Sequence, residues 1–184
     1  QGGPVRRHHI ATPLGRLLRP ELALCIDAMA EARRWDIYRD PFEDEAAFDS
    51  YLDATSGGLM WMAAASLGQA DEETIRKFAY AVGLANWFRA IPELVAQKRI
   101  PLLDGTAEGV RALAQKGLHQ IAAARKARKT VSRSSSVALL VGWQAEALLK
   151  QALAEPERVA QGALGRSEFQ RRSSLMWRAA TGLW

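Results

Sequence analysis

The apolar residues of this chain recur at helical spacing, and no segment alternates apolar and polar side chains as a half-buried strand would. Ala, Leu, Arg and Glu, which favour helices, are frequent, and β-branched residues are sparse. The pattern therefore predicts an all-α fold of about seven helices. One helical stripe after Pro20 comprises Leu22, Leu24, Cys25, Met29 and Ala32.

Capping residues and prolines indicate where helices begin and end. We expect a flexible lead-in over residues 1–11, after which Thr12-Pro13 begins a short helix that ends at Arg19. All of residues 1–184 are expected to form one domain.

Later boundaries follow the same signals. Asp71 opens a helix that Pro92 is expected to kink or end, because proline lacks the backbone N–H. Residues 132–136 are expected to be a polar break between helices, and Ser167 is expected to cap the last helix.

A pair of adjacent glycines lies within the helix that Glu43, Asp44 and Glu45 are expected to open and that is expected to end at Gly68. Glycine in a helix interior costs about 1 kcal/mol relative to alanine. The close approach of another helix or of a ligand would explain such a pair, so Gly57 and Gly58 are candidate site residues.

The net charge indicates which classes of binding partner suit this protein. A formal net charge of +5 suits an anionic partner, namely a nucleic acid, a membrane surface or a phosphorylated small molecule, or serves solubility alone. Nucleic-acid-binding motifs are missing, so we expect no nucleic acid partner. The one cysteine, Cys25, is expected to be a small buried hydrophobe in a reducing, cytoplasmic compartment, and no long apolar stretch predicts a membrane span.

Familiar catalytic signatures are also missing from the sequence. It contains no Gly-rich phosphate loop, no Cys/His pattern typical of zinc sites and no GxSxG elbow. These absences leave a helical fold whose function must be sought in less common motifs.

Two stretches resemble the squalene/phytoene synthase family. In Arg33–Tyr38 and Tyr51–Met60, a tyrosine is followed by small residues and glycines. The segment Gly83–Leu94, followed by Lys98–Leu102, is similar to the family's second Asp-rich segment, whose pattern includes N-x-x-R-D-x-x-E-D and then R-x-x-L-P. The resemblance extends loosely from Arg33 to Trp184, and also covers family members that resemble assembly factors of respiratory complex I.

The resemblance implies an isoprenoid-synthase-like helical array around a central cavity, in which two prenyl diphosphates are joined. Two Asp-rich segments on facing helices would hold Mg²⁺, which bridges carboxylates and phosphate oxygens, and the carbocation would need an apolar cavity. It also implies that the first Asp-rich helix lies upstream of Gln1, so that this chain is a fragment of the family fold without its N-terminal helices.

The second Asp-rich segment is only partly kept. Asn86, Arg89 and Glu93 match the family's asparagine, arginine and glutamate. Ala90 and Leu94 stand where the family has aspartates, and neither side chain can bind magnesium.

In the first stretch Asp53 stands where active members tend to have an aromatic residue. The resemblance implies no metal ligand in this chain and no cofactor, with Mg²⁺ required only if the protein is an active enzyme. The substrate-binding residues that the resemblance implies are Tyr51, Gly57, Gly58, Asn86, Arg89 and Glu93.

Other charged residues offer alternatives. Glu45, Asp49 and Asp53 are four residues apart and align on one helical face, either as a solvated acidic face or as relocated metal ligands. Arg33 and Arg34 pair either with this acidic run or with phosphate.

A basic run closes a helix before residue 134, where cations complement the helix dipole or contact a membrane surface. This run consists of Arg125, Lys126, Arg128, Lys129 and Arg133. Four tryptophans within helical segments are expected in the core, with the lining of a cavity as the alternative, namely Trp61, Trp87, Trp143 and Trp177.

Three functions are consistent with these observations. The first is a non-catalytic family member that binds a prenyl diphosphate or isoprenoid lipid, or that acts on a protein partner as an assembly factor. The second is an active prenyltransferase with relocated magnesium ligands. The third is a generic helical interaction module. We expect a cytoplasmic protein with peripheral membrane contact.

Overall fold

The structure is a computed structural model that describes residues 8–38 and 40–184. These residues contain helices and no strand, as the sequence predicts. In these ranges no helix is both long enough and apolar enough to cross a membrane. The α-helices are α1 (Ala11–Leu17), α2 (Pro20–Ala32), α3 (Trp35–Tyr38), α4 (Glu45–Leu52), α5 (Gly58–Leu67), α6 (Glu72–Ala96), α7 (Ala107–Lys126), α8 (Arg133–Leu139), α9 (Ala145–Ala154), α10 (Glu157–Ala160) and α11 (Glu168–Thr181).

Three short segments between the α-helices have turns that are tighter or wider than those of an α-helix. Asp53–Gly57 is a π turn between α4 and α5, and Arg128–Thr130 and Leu140–Gly142 are 3-10 turns. The eleven α-helices of the described residues outnumber the seven predicted because α3, α8 and α10 are short additional helices, and because the π turn divides one predicted helix into α4 and α5.

The N-terminal prediction is partly wrong. Most of the lead-in predicted over residues 1–11, namely residues 1–7, lies outside the described residues. The first helix begins at Ala11, earlier than Thr12-Pro13 predicts, and it ends at Leu17 because Leu18 is extended. The Thr12 hydroxyl accepts a hydrogen bond from the His8 N–H at 2.9 Å.

The caps predicted later in the chain are confirmed. The Asp71 carboxylate accepts the Thr74 N–H at 2.8 Å and begins α6. Ser167 begins α11 with a reciprocal capping box to Gln170. Both caps satisfy backbone N–H groups that a helix start leaves without partners.

Pro92 does not end α6, so that part of the prediction is wrong, while the alternative of a kink stays a prediction. The helix continues to Ala96, with Ile91 buried before the proline and Leu94 half-buried after it. Packing of α6 against α7 and α10 outweighs the local cost of the proline, since tertiary contacts override weak propensities.

The polar break predicted over residues 132–136 is also wrong. Ser132 caps α8, and its hydroxyl accepts the Ser135 N–H at 3.3 Å. The buried Ser135 hydroxyl donates to the Gln69 carbonyl at 3.2 Å, which ties α8 to the loop before α6. The serines therefore satisfy buried backbone groups instead of exposing a loop.

Helix α6 lies at the centre of the core. It packs against the π turn and α5 along one side and against α7 and α9 along the other. Every residue from Phe78 to Phe88 except Asn86 is buried. A helix that is buried nearly all round needs apolar or small residues on every face, which this segment provides.

Gly142 allows the closest approach to α6. A side-chain carbon at Gly142 would collide with the Val82 side chain and would lie 2.7 Å from the Phe78 ring. Phe78 is fully buried and cannot move aside. The glycine is therefore required by packing rather than by its own backbone angles.

Two expectations about the core are wrong. Trp177 is 66% exposed, although Trp87 is buried as predicted. Cys25 is half-buried rather than buried, beside Gly58 of α5. The chain instead buries Trp184, whose ring contacts that of Phe78 with centroids 4.9 Å apart.

We predict that Gly142→Ala lowers the free energy of unfolding by about 1–3 kcal/mol, because the added methyl group overpacks the core at α6. Urea unfolding measures the difference. Gly105→Ala is the matched control, since nothing lies within 4 Å of its side-chain position. The control should stay within about 0.5 kcal/mol of the parent; similar losses in both variants would contradict the close packing.

Candidate functional site

A groove of about 440 Å³ runs between α6 and the segment formed by α4, the π turn and α5. Most of its wall is apolar, and Val141 from the second 3-10 turn lines it as well. The π turn contributes to the groove wall, and π turns within helices often occur at functional sites.

The π turn itself is held by hydroxyl groups. The Thr55 hydroxyl donates to the Tyr51 carbonyl at 2.6 Å, and the Ser56 hydroxyl donates across to the Ala79 carbonyl of α6 at 2.8 Å. Both residues line the groove. These bonds fix the wide turn against α6 and shape the groove wall.

A polar cluster of Arg33, Asp36 and Tyr51 also lines the groove. The Arg33 guanidinium donates to the Tyr51 hydroxyl at 3.1 Å and to the Asp36 carboxylate at 3.3 Å. Burial raises the pKa of Tyr51 above its ordinary value, against the opposing effect of Arg33. The phenol is therefore neutral and can donate a hydrogen bond, while the half-exposed Arg33 can reach an anion.

Aromatic rings support this cluster from behind. Tyr51 contacts Trp87 with ring centroids 5.3 Å apart, and Trp35 stacks on Phe42 at 4.7 Å. The Trp87 indole N–H donates to the Pro101 carbonyl at 3.0 Å, which fixes the ring in the groove wall. These aromatic rings give the polar cluster a rigid apolar support, and Trp87 forms part of the groove wall.

One buried residue received no role from the sequence. Arg99 lies over the Trp35 ring at 4.7 Å, and it donates to the carbonyl oxygens of Trp35 and Asp36. It therefore holds α3 in place and positions Asp36 at the groove. The signal was present, because Arg99 belongs to the segment similar to the family's R-x-x-L-P pattern.

The family's motif positions on α6 divide between two faces. Asn86 lines the groove, and so do Ala90 and Leu94, which follow it at helical spacing. Arg89 and Glu93 are exposed and do not line it, and the Glu93 carboxylate accepts a bond from the Gln97 amide at 2.8 Å. The structure thus brings Asn86 to the groove with Tyr51 and leaves Arg89 and Glu93 outside.

The adjacent glycines do not line the groove either. A side chain at Gly57 would collide with the Asp53 carboxylate, and one at Gly58 would lie 3.4 Å from the Cys25 side chain of α2. Close packing within the π turn therefore explains Gly57 without a ligand. Gly58 makes only ordinary contacts, and it lines a separate cavity of about 420 Å³ beside α2.

Magnesium does not fit the groove as the family would bind it. Asp36 is the one carboxylate among the described lining residues, and it is paired with Arg33. Across residues 8–38 and 40–184, no three His, Cys, Asp or Glu side chains are grouped so as to hold a metal ion. Ala90 and Leu94 occupy the wall where oxygen ligands would be needed.

The acidic run is engaged by lysine and arginine side chains. Lys116 of α7 contacts Glu45 and Asp49, each at 2.6 Å, and Arg76 of α6 contacts Asp53 at 2.8 Å. The carboxylates thus form ion pairs between helices, and they stay partly solvated, with side chains that are 35% to 64% exposed.

Asp49 is the most tightly held of the three carboxylates. The Tyr80 hydroxyl donates to it at 2.8 Å. Burial, and to a smaller extent this hydrogen bond, raises the pKa of Tyr80 above its ordinary value. Partial burial acts to lower the pKa of Lys116, but its hydrogen bonds to Asp49 and Glu45 outweigh this effect. The pKa of Lys116 therefore lies above its ordinary value. The ion pairs of Lys116 with Glu45 and Asp49 stabilise the contact of α4 with α7.

The two arginines before the groove have local partners. Arg33 pairs with Asp36, and Arg34 contacts Glu31 at 3.2 Å. Neither contacts the acidic run in the described part of the chain, so the predicted alternative of pairing with that run is wrong for both.

Comparison with known proteins identifies the family. The model of the squalene/phytoene synthase family matches residues 1–166. The chain belongs to the squalene/phytoene synthase family. No curated protein and no solved structure matches it. For this squalene/phytoene synthase family member, the predicted family and the all-α, isoprenoid-synthase-like fold class are confirmed.

We predict that Lys116→Met lowers the free energy of unfolding by about 1–2 kcal/mol, because it leaves Asp49 without a cation in a half-buried position. Lys77→Met is the matched control. Among residues 8–38 and 40–184 the one ion pair of Lys77 is with Glu73, one turn away on α6, and such pairs contribute about 0.3–0.5 kcal/mol. Urea unfolding of both variants decides the matter, and equal losses would contradict an interhelical role for Lys116.

Proposed function

We propose that this family member binds an isoprenoid chain in the groove, and that it does so without magnesium chemistry. The observation that carries the proposal is the position of Ala90 and Leu94. They stand at the two aspartates of the family's second Asp-rich segment, and their side chains line the groove. Apolar side chains at these points favour contact with a hydrocarbon over coordination of a cation.

The size and lining of the groove support the same ligand. Its volume of about 440 Å³ lies within the range of small-molecule sites, about 300–1,000 Å³. Leu52, Met60, Val82 and Trp87 supply apolar surface for a chain. An isoprenoid is flexible and branched, and adaptable residues such as methionine suit an irregular apolar shape.

The polar cluster suits the head group of such a ligand. Arg33 is half exposed and presents guanidinium donors, and the neutral Tyr51 hydroxyl lies 3.1 Å from it. Guanidinium groups bind phosphate oxygens through paired charge-assisted hydrogen bonds. A prenyl diphosphate therefore suits the groove with its anion at Arg33 and its chain between α5 and α6.

The enzymatic alternative finds less support. An active prenyltransferase with relocated ligands would need carboxylates that converge on the groove. Glu93 is exposed and bonded to Gln97, while Glu45 and Asp49 are paired with Lys116. Mg²⁺ belongs to this alternative alone. The roles of assembly factor and of interaction module stay predictions from resemblance and composition.

We predict that Ala90→Phe weakens binding of farnesyl diphosphate by about tenfold or more, because the ring fills the groove. Isothermal titration calorimetry with excess EDTA, and then with magnesium, measures the affinity. Ala96→Phe on the same helix is the matched control, because Ala96 is exposed and does not line the groove.

The proposal expects the parent and Ala96→Phe to bind equally well with EDTA and with magnesium. Farnesol tests the hydrocarbon contribution separately, and it should bind more weakly than the diphosphate but lose affinity in the same variant. Binding that requires magnesium would contradict the proposal, as would equal affinity of the Ala90→Phe variant.

A further inference from the structure

The C-terminal helix α11 exposes an apolar surface that the groove does not explain. Phe169 is 80% exposed, Met176 72% and Trp177 66%. No residue of α11 is buried. The helix also follows residue 166, where the match to the family model ends.

The exposed apolar residues share one side of α11. At 100° per residue, Phe169 and Met176 lie on the same face, with Trp177 at its edge. Arg172 flanks the opposite edge and pairs with Glu168 at 2.8 Å. On the side of α11 opposite Phe169, Arg178 contacts Glu146 of α9 at 3.5 Å. The helix is therefore amphipathic, with its polar side turned toward the protein.

A basic cleft of about 890 Å³ borders the Trp177 edge of this helix. Arg125 and Arg178 in the cleft are compensated by Glu146. Burial acts to raise the pKa of Glu146, but Lys150 and Arg125 outweigh it and lower this pKa to about 2. Three further cations line it, and none has an ion-pair partner in the described part of the chain. They are Arg128, Lys129 and Arg133.

The end of α11 is fixed to the core. Trp184 is buried against Phe78, and its carbonyl accepts a bond from the Arg125 guanidinium at 2.9 Å. Gly182 allows the turn between the helix and this anchor with φ of 67°. The apolar face and the basic cleft are consequently held side by side.

We propose that α11 and the basic cleft together dock this protein on an anionic membrane surface. Amphipathic helices with aromatic residues on one face and arginines beside it lie in the interface plane of a bilayer. Phe169, Met176 and Trp177 would enter the acyl boundary, while Arg128 and Lys129 would contact lipid phosphates. Each basic residue near such a surface adds to the attraction, which salt screens.

The charge distribution favours a lipid surface over a second copy of the chain. A symmetric dimer would place the same patch of each copy against the other, and thus bring the uncompensated Arg128, Lys129 and Arg133 near their equivalents. Like charges repel, whereas anionic head groups attract them. This proposal does not depend on ligand binding in the groove, because no residue lines both places.

Sedimentation with vesicles tests the proposal on the whole chain. We expect binding to phosphatidylcholine vesicles that contain about one third phosphatidylserine, and at least tenfold weaker binding to pure phosphatidylcholine. Phe169→Ser/Met176→Ser should weaken binding by about tenfold, since apolar burial is lost. Leu17→Ser is the matched control, because Leu17 is 75% exposed on α1 and distant from α11 in sequence.

A charge variant tests the cleft separately. Arg128→Gln/Lys129→Gln should weaken binding by about tenfold at low salt and by less at high salt. Arg16→Gln/Arg111→Gln removes the same charge from exposed positions outside the cleft and should bind as the parent does. Circular dichroism checks that each variant is folded.

Three outcomes would overturn the proposal. These are equal binding to neutral and anionic vesicles, equal losses in the cleft and control charge variants, and no binding to either vesicle. Concentration-dependent dimerisation that Phe169→Ser/Met176→Ser abolishes would assign the face to a second copy instead. If free phosphate competes fully with the vesicles, the cleft is a binding site for small anions and not for a membrane surface.

Discussion

Burial of α6 is the constraint on which the rest of the structure depends. A helix with thirteen buried residues among twenty-five must be covered on several sides, and α5, α7 and α9 provide that cover. Small residues make the covering possible, because Gly142 lets a turn pack directly on Phe78 and Val82. The groove exists where this cover is incomplete, along the side of α6 that carries Asn86, Ala90 and Leu94.

The same helix explains how the family fold can persist without the family's metal ligands. The aspartates at the family's two positions would contribute ligands rather than packing, so Ala90 and Leu94 can replace them while the buried side of α6 stays intact. Loss of two carboxylates from an apolar wall also removes the cost of desolvating them. What remains is a hydrophobic groove beside Arg33 and Tyr51, which is chemistry for binding a chain with an anionic head.

Much of this architecture was predictable from the sequence, and the exceptions have physical causes. Helical periodicity predicted the all-α fold, and Asp71 and Ser167 marked helix starts, because these are local effects of backbone hydrogen bonding. Pro92 does not end α6 and residues 132–136 do not form a break, because tertiary packing and the buried Ser135 decide those segments. Local propensity carries no information about such distant partners.

The site was predictable in the same uneven way. The motif pattern led to Tyr51 and Asn86, which line the groove, but helical phase placed Arg89 and Glu93 on the other side of α6. The π turn shifts the register after Asp53 and could not be read from composition. Arg99 was overlooked because its role depends on the ring of Trp35, which is distant in sequence.

The most direct test of binding without catalysis is to measure diphosphate release by the natural protein in the presence of farnesyl diphosphate and magnesium. We expect saturable binding, and no release of diphosphate above the rate in the absence of protein. Magnesium-dependent release that is lost on Glu93→Gln would contradict it, because that result would require a carboxylate outside the groove to serve a reaction that the groove's own residues do not support.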